Sequence, residues 1–196
     1  MVSRRKSHLT YPRYYKMFRK ICYSLLIVFG AITMVEAKSI SDDNILIMEL
    51  KYGTVKIEMY EGVAPNHVKR IKELVNSGFY DGIKFHRVIA GFMAQTGDPK
   101  GDGTGGSGQN LDAEFSKVRH ERGILSMARA QNINSADSQF FIMLDDAPHL
   151  DGQYTVWGKV TSGMEYIDEI QKGDAYMNGT VGNPDKIISL KLASKS

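Results

Sequence analysis

With 196 residues, 42% of them hydrophobic and 24% charged, the chain holds enough apolar material for one globular core and is short for two. The formal charge of +3 is concentrated at one end: residues 1–37 carry Arg4, Arg5, Lys6, Arg13, Lys16, Arg19 and Lys20 against Glu36 alone, which leaves 18 basic and 21 acidic residues, a net of −3, from Lys38 onward. That balance excludes a general phosphate-binding surface, so no nucleic-acid partner is expected, and the only cysteine, Cys22, lies too early to supply a disulfide, nucleophile or zinc thiolate to the rest.

Residues 1–37 have the form of an export signal. A basic stretch precedes the apolar run Ile21 to Met34, and Val35-Glu36-Ala37 then offers a small-x-small cleavage site before Lys38. The run is shorter than the roughly 20 apolar residues that span a bilayer. An uncleaved anchor is the alternative, and it is the only membrane association expected. Met17-Phe18-Arg19-Lys20 alone would make a compact basic start, so translation from Met17 is a second possibility beside Met1. The expected organisation is a leader over 1–37 and one domain over 38–196, exported to a bacterial periplasm.

From Ile45, apolar residues alternate through Ile47 and again through Val55, Ile57 and Met59, with Tyr52-Gly53-Thr54 between, which predicts a β-hairpin. After Pro65 the spacing changes to threes and fours at Val68, Ile71, Leu74 and Val75, predicting an amphipathic helix stopped by Gly78. Short strand-like runs follow at 84–88, 92–96, 123–128, 139–143 and 155–160. A second helical spacing at Met164, Ile167 and Ile170 and a last strand over 186–192 close the chain. Many short strands without intervening helices imply an antiparallel sandwich or barrel, and about eight strands with two helices fit a capped barrel.

The glycine-rich segment 97–108 lacks the Lys-Ser/Thr ending of a phosphate-binding loop and reads as a flexible surface loop. His67, His86, His120 and His149 are scattered, with no pair spaced for a metal on one helix, so no metal ligands are nominated. Ser138 sits outside any G-x-S-x-G turn.

The informative segments are Phe85-His86-Arg87-Val88-Ile89-Ala90-Gly91-Phe92-Met93-Ala94-Gln95-Thr96-Gly97-Asp98, then Gly123-Ile124-Leu125-Ser126-Met127-Ala128, then Ser138-Gln139-Phe140-Phe141-Ile142. A lone arginine stands amid aromatics and methionine, and Gly91 marks a kink that resets which side chains face inward. In this order the segments closely resemble the cyclophilin family, over Asn44 to Leu192. The resemblance implies a mainly β fold, a closed eight-stranded antiparallel β-barrel capped by two α-helices, with a proline-binding groove on its outer surface. It implies a peptidyl-prolyl cis-trans isomerase that takes proline-containing polypeptides, needs no cofactor and works as a monomer.

Position by position, the family's catalytic arginine falls on Arg87, the glutamine of the first motif on Gln95, which can assist at the proline nitrogen or at the carbonyl, and the proline pocket on Phe92, Met93, Phe141 and Leu150. Gln139 matches the glutamine of the third segment. Ala128 and Ala130 match the strand edge that hydrogen-bonds an extended peptide. Between them Arg129 replaces a common asparagine, which suggests a preference for acidic or polar residues before proline. His149 stands where the family often has the tryptophan that contacts cyclosporin, so weaker inhibition is expected, and Tyr154 replaces a groove histidine. Twisting an X-Pro amide localises a lone pair on the proline nitrogen, to which a fixed guanidinium can donate without titrating near neutral pH. Two other function classes stand beside the isomerase: a non-catalytic proline-peptide binding module or chaperone using the same groove, and, from the basic leader alone, an RNA-associated protein.

Overall fold

The computed structural model describes residues 41–196; the export-signal, cleavage and translation-start expectations fall outside the described residues. Eight strands form one antiparallel sheet: β1 Ile45–Leu50, β2 Gly53–Met59, β3 Arg87–Ile89, β4 Met93–Thr96, β5 Ile124–Met127, β6 Phe140–Met143, β7 Val156–Ser162 and β8 Ser189–Leu192. Their order is β3-β4-β6-β5-β7-β2-β1-β8. The hairpin β1–β2 forms as expected, but its turn is Lys51-Tyr52: Gly53 already pairs with Leu50 and Thr54 with Glu49.

The sheet curls strongly round one core. The regular ladders end at β3 and β8, which share none, so the closed ring expected for the barrel takes the form of a curled half-barrel with a seam. Across that seam the stretch before β3 meets the stretch before β8 through individual bonds: Gly82 N–H to Ile187 O (2.7 Å), Phe85 N–H to Asp185 O (2.8 Å) and Ile187 N–H to Ile83 O (2.9 Å). This is why the strand expected from Lys84 is regular only from Arg87.

Helix α1, Pro65–Asn76, packs Val68, Ile71, Leu74 and Val75 into the core, and the short α2, Met164–Asp168, adds Ile167. Ala64, at the N-terminal cap of α1, offers no side-chain acceptor. Glu114, from a distant loop, takes that role by accepting from Asn66 N–H and His67 N–H, both at 3.1 Å.

Side-chain alternation in β6 separates two apolar clusters. Phe140 and Ile142 point into the main core, with Trp157, Leu125 and Val88. Phe141 and Met143 point outward into a second cluster with Met93, Ile124 and Val156, partly covered by Phe92, Leu150 and Tyr154. A strand buried on both faces reads as an unbroken apolar run, as Phe140 to Met143 does.

Candidate functional site

The second cluster floors a depression on the outer face of the sheet. Gly91 takes φ +68° in the turn between β3 and β4, so the kink read at this glycine is present and the pairing that follows sets Arg87 opposite Gln95. Gln95 in turn pairs with Phe141 on β6, and Phe141 with Ser126 on β5. Four residues from three separate segments of the chain thus share one row across four strands.

Arg87, Phe92, Met93, Gln95, Ala128, Arg129, Phe141, Leu150 and Tyr154 all line a single depression of about 180 Å³. The remaining two candidates, Ala130 and Gln139, line an adjoining depression of about 390 Å³ that shares Gln95, Ala128 and Arg129 and adds Asn110, Ser135 and Asp137. All eleven candidates therefore lie on one groove with an apolar end and a more polar end.

Hydrogen bonding in the groove runs in one direction. Arg87 Nη1 donates to Gln95 Oε1 at 3.1 Å, Gln95 Nε2 to Gln139 Oε1 at 2.9 Å, and Gln139 Nε2 to Gly105 O at 2.8 Å and Gly103 O at 3.1 Å. The far side of the guanidinium donates to Asn178, Nε to its backbone carbonyl and Nη2 to Oδ1, each at 3.0 Å. Among the described residues Arg87 has no carboxylate within ion-pair distance, and burial pulls its pKa down from the ordinary value. A partly buried cation held entirely by neutral acceptors is poised to meet electron density from outside the chain.

The glycine-rich segment differs from the flexible loop expected. The buried Asp98 accepts from the backbone N–H of Lys100 (2.8 Å), Asp102 (3.1 Å) and Gly103 (2.6 Å), and the loop's carbonyls then anchor Gln139. Gly97, at φ +87°, lies so close to Ser138 O that any Cβ would collide with backbone.

Ala128 and Ala130 both line the larger depression. Ala128 N–H donates to Gln139 O (2.9 Å) and Ala130 N–H to Ser135 Oγ (3.0 Å), so both donors are used within the chain. Arg129 lies between them. Its guanidinium donates to Ala130 O (2.9 Å) and Gln153 O (3.1 Å) and stacks over Tyr154 at 4.8 Å, with no carboxylate partner among the described residues. His149 tilts over Phe92 with ring centroids 5.7 Å apart.

Behind Phe141 lies a Ser–His–Asp chain not foreseen from sequence. His120 pairs through Nε2 with Ser126 Oγ (3.0 Å) and through Nδ1 with Asp151 Oδ1 (3.1 Å). Ser126 is fully buried and donates to Thr155 O, so no substrate reaches it. The chain instead secures the turn that presents Leu150, and His120 stacks on Phe141. Asn178 was missed as well, although Asn178-Gly179 is a recognisable turn pair.

A family model described as cyclophilin-type peptidyl-prolyl cis-trans isomerase/CLD matches residues 45–192. The chain is 54% identical over 175 residues to a probable peptidyl-prolyl cis-trans isomerase of Brucella suis, covering 83% of this chain and 89% of that one. It is 47% identical over 122 residues to peptidyl-prolyl cis-trans isomerase B of Bacillus subtilis, covering 61% and 85%. Among solved structures it is similar to a cyclophilin from Hirschia baltica, with a TM-score of 0.71 and 29% identity over 80% of this chain and 76% of that one. It is also similar to a cyclophilin-type isomerase of Cryptosporidium parvum crystallised in the presence of the dipeptide Ala-Pro, with a TM-score of 0.69 and 31% identity over 76% and 98%. The chain belongs to the cyclophilin family of peptidyl-prolyl cis-trans isomerases, whose substrates are proline-containing polypeptides.

Proposed function

We propose that an X-Pro segment lies along this groove with its pyrrolidine ring in the depression walled by Phe92, Met93, Phe141 and Leu150 and the X-Pro amide bond, which rotates without breaking, beside Arg87. Rotation opposes amide resonance, a barrier of about 18–20 kcal/mol, and only interactions stronger in the twisted state than in either planar isomer lower it. As the amide twists, a lone pair gathers on the proline nitrogen, and an Arg87 N–H donates to it. Gln95 fixes the guanidinium from one side and is itself fixed by Gln139. A preorganised donor of this kind is worth roughly 10²–10³ in rate. No bond is broken, so neither metal nor cofactor is required.

Upstream of proline, the backbone N–H and C=O of Arg129 are the groups available to an extended peptide, since Ala128 and Ala130 use their N–H groups internally. The next side chain then enters the larger depression near Gln139. The Arg129 guanidinium, with only neutral acceptors, favours acidic or polar residues before proline. We further propose that the seam bonds complete the barrel, that the protein is a monomer, and that it is exported to the periplasm after cleavage before Lys38; the basic-then-apolar pattern of the leader supports the last point.

The observation that carries the catalytic reading is Arg87 itself, a cation over an apolar depression with no carboxylate partner among the described residues. Its test is Arg87→Ala, with cis-trans exchange of an Ala-Pro peptide and peptide binding measured side by side. Lost exchange with retained binding is expected. Unchanged exchange, or no exchange in the unaltered protein, would favour the binding module.

A further inference from the structure

Asn178 holds the catalytic arginine from a turn 91 residues away, and the turn is built to do so. It is the only residue other than glycine with positive φ among the described residues, at φ 52° and ψ 35°. That conformation is disfavoured for most side chains and less so for asparagine.

Inside the turn, Asp174 accepts from Tyr176 N–H through its side chain (2.7 Å) and from Gly179 N–H through its carbonyl (2.8 Å), while Thr180 donates from N and Oγ1 to Met177 O. Outside it, the turn is locked to β3: Val88 N–H donates to Gly179 O at 2.8 Å and Gly173 N–H to Val88 O at 2.9 Å. Gly179 sits so close to β3 that a Cβ there would come within 2.5 Å of Ile89 Cγ1. The place of Asn178 relative to Arg87 is therefore set by backbone on both sides.

Two acceptors of this one residue take Nε–H and one Nη2–H of Arg87, and Gln95 takes one Nη1–H. Of the five N–H donors in the rigid fork, Nη1 also makes a long, weak contact to Met93 Sδ at 3.9 Å, so the second Nη2–H and a weakly held Nη1–H are left for the open edge. Gripping Nε and Nη2 together stops rotation about the Cδ–Nε bond, which a single contact from Gln95 could not do.

We propose that Asn178 is a positioning residue for the isomerase reaction: its left-handed turn aims the open edge of Arg87 at the proline nitrogen. The inference rests on the reading that Arg87 donates to the twisted amide. Asn178 touches the guanidinium and not the substrate in this arrangement, so its contribution falls on turnover rather than on binding.

The test uses the full chain and an Ala-Pro peptide. Asn178→Gly keeps the left-handed backbone and its carbonyl and deletes only the side-chain acceptor. It should lower kcat about five- to tenfold, with KM within about twofold of the unaltered protein. Asn178→Asp restores an acceptor at the same place and should recover kcat to within about threefold. In an Arg87→Ala background, Asn178→Gly should change nothing further. Nitrogen-15 spectra of the arginine side chains should show faster rotation and faster water exchange at Arg87 in Asn178→Gly alone. An unaltered kcat in Asn178→Gly with Arg87→Ala inactive overturns the inference while leaving the role of Arg87 intact; full activity in Arg87→Ala overturns that role itself. A comparable loss on adding Asn178→Gly to the Arg87→Ala protein, or no recovery with Asp, would show that the turn acts through the fold and not through Arg87.

Discussion

Gln95 and Gln139 are joined by a single hydrogen bond of 2.9 Å, and its direction is dictated at both ends: Gln95 Oε1 is occupied by Arg87, and Gln139 Nε2 by the carbonyls of Gly103 and Gly105. Each amide can present only one orientation. The guanidinium thus heads a chain of donors that ends in backbone, and polarisation along it strengthens each link.

Breaking the middle of that chain has a defined cost. Gln95→Leu keeps the volume but leaves Arg87 Nη1 and Gln139 Oε1 without their partners, and we expect kcat/KM for an Ala-Pro peptide to fall about tenfold. A rate within about twofold of the unaltered protein would mean that Asn178 alone suffices to hold the arginine.

His149 over Phe92 predicts the inhibitor response. The imidazole covers less of the groove wall than the indole common in the family, so cyclosporin should bind weakly, and His149→Trp should tighten it about three- to tenfold, the range of one added aromatic contact. Calorimetric titration of both proteins measures this; equal affinities would show that the Tyr154 and Arg129 wall, not position 149, limits binding.

Activity and stability should respond differently to pH. On the proposed reading, in which a guanidinium and two amides carry the chemistry, kcat/KM should stay flat from about pH 6.5 to 9 wherever the fold is intact. Burial lowers the pKa of His86, whose ring nitrogens have no hydrogen-bond partner among the described residues, so the unfolded chain takes up its proton first. Stability from His86 is fully present above about pH 6.5 and is lost as pH falls through its lower folded value. For Asp98 burial pushes the carboxyl up, but the backbone N–H groups of Lys100, Gly103, Gly105 and Asp102 outweigh it and leave the pKa below the usual range. Burial likewise pushes Glu114 up, and its bonds to His67 and Asn66 bring it below. Their contribution is present above about pH 4 and lost as pH falls through the folded values. Melting temperature should therefore drop in two stages, below about 6.5 and below about 4; His86→Phe should lessen the first, the remainder coming from His120, whose pKa burial also lowers. A melting temperature constant from pH 7 to 5 would contradict the assignment to His86.

Much of this was legible in the sequence because it depends on local spacing. Alternation at Ile45 to Met59 and the three-four spacing after Pro65 report which side chains face a core, and the order of the three motifs located the groove residues. What escaped depends on backbone groups brought together from afar. Asn178 acts through a carbonyl and a left-handed turn, and nothing in its neighbours points to Arg87. The glycine-rich segment read as mobile because glycine signals freedom, whereas here Asp98 collects its N–H groups and its carbonyls fix Gln139. That the N–H groups of Ala128 and Ala130 are taken up by Gln139 O and Ser135 Oγ was hidden for a similar reason, since spacing along the strand does not reveal those partners.

The most direct test of the central claim is the exchange rate of an Ala-Pro peptide while bound, measured by NMR exchange spectroscopy at saturation for the unaltered protein and for Arg87→Lys. Lysine keeps the charge but loses the rigid fork, so on-enzyme exchange should fall about 10²-fold with Kd within about threefold. Undiminished exchange on the bound peptide, or a loss confined to Kd, would contradict a catalytic role for the oriented guanidinium.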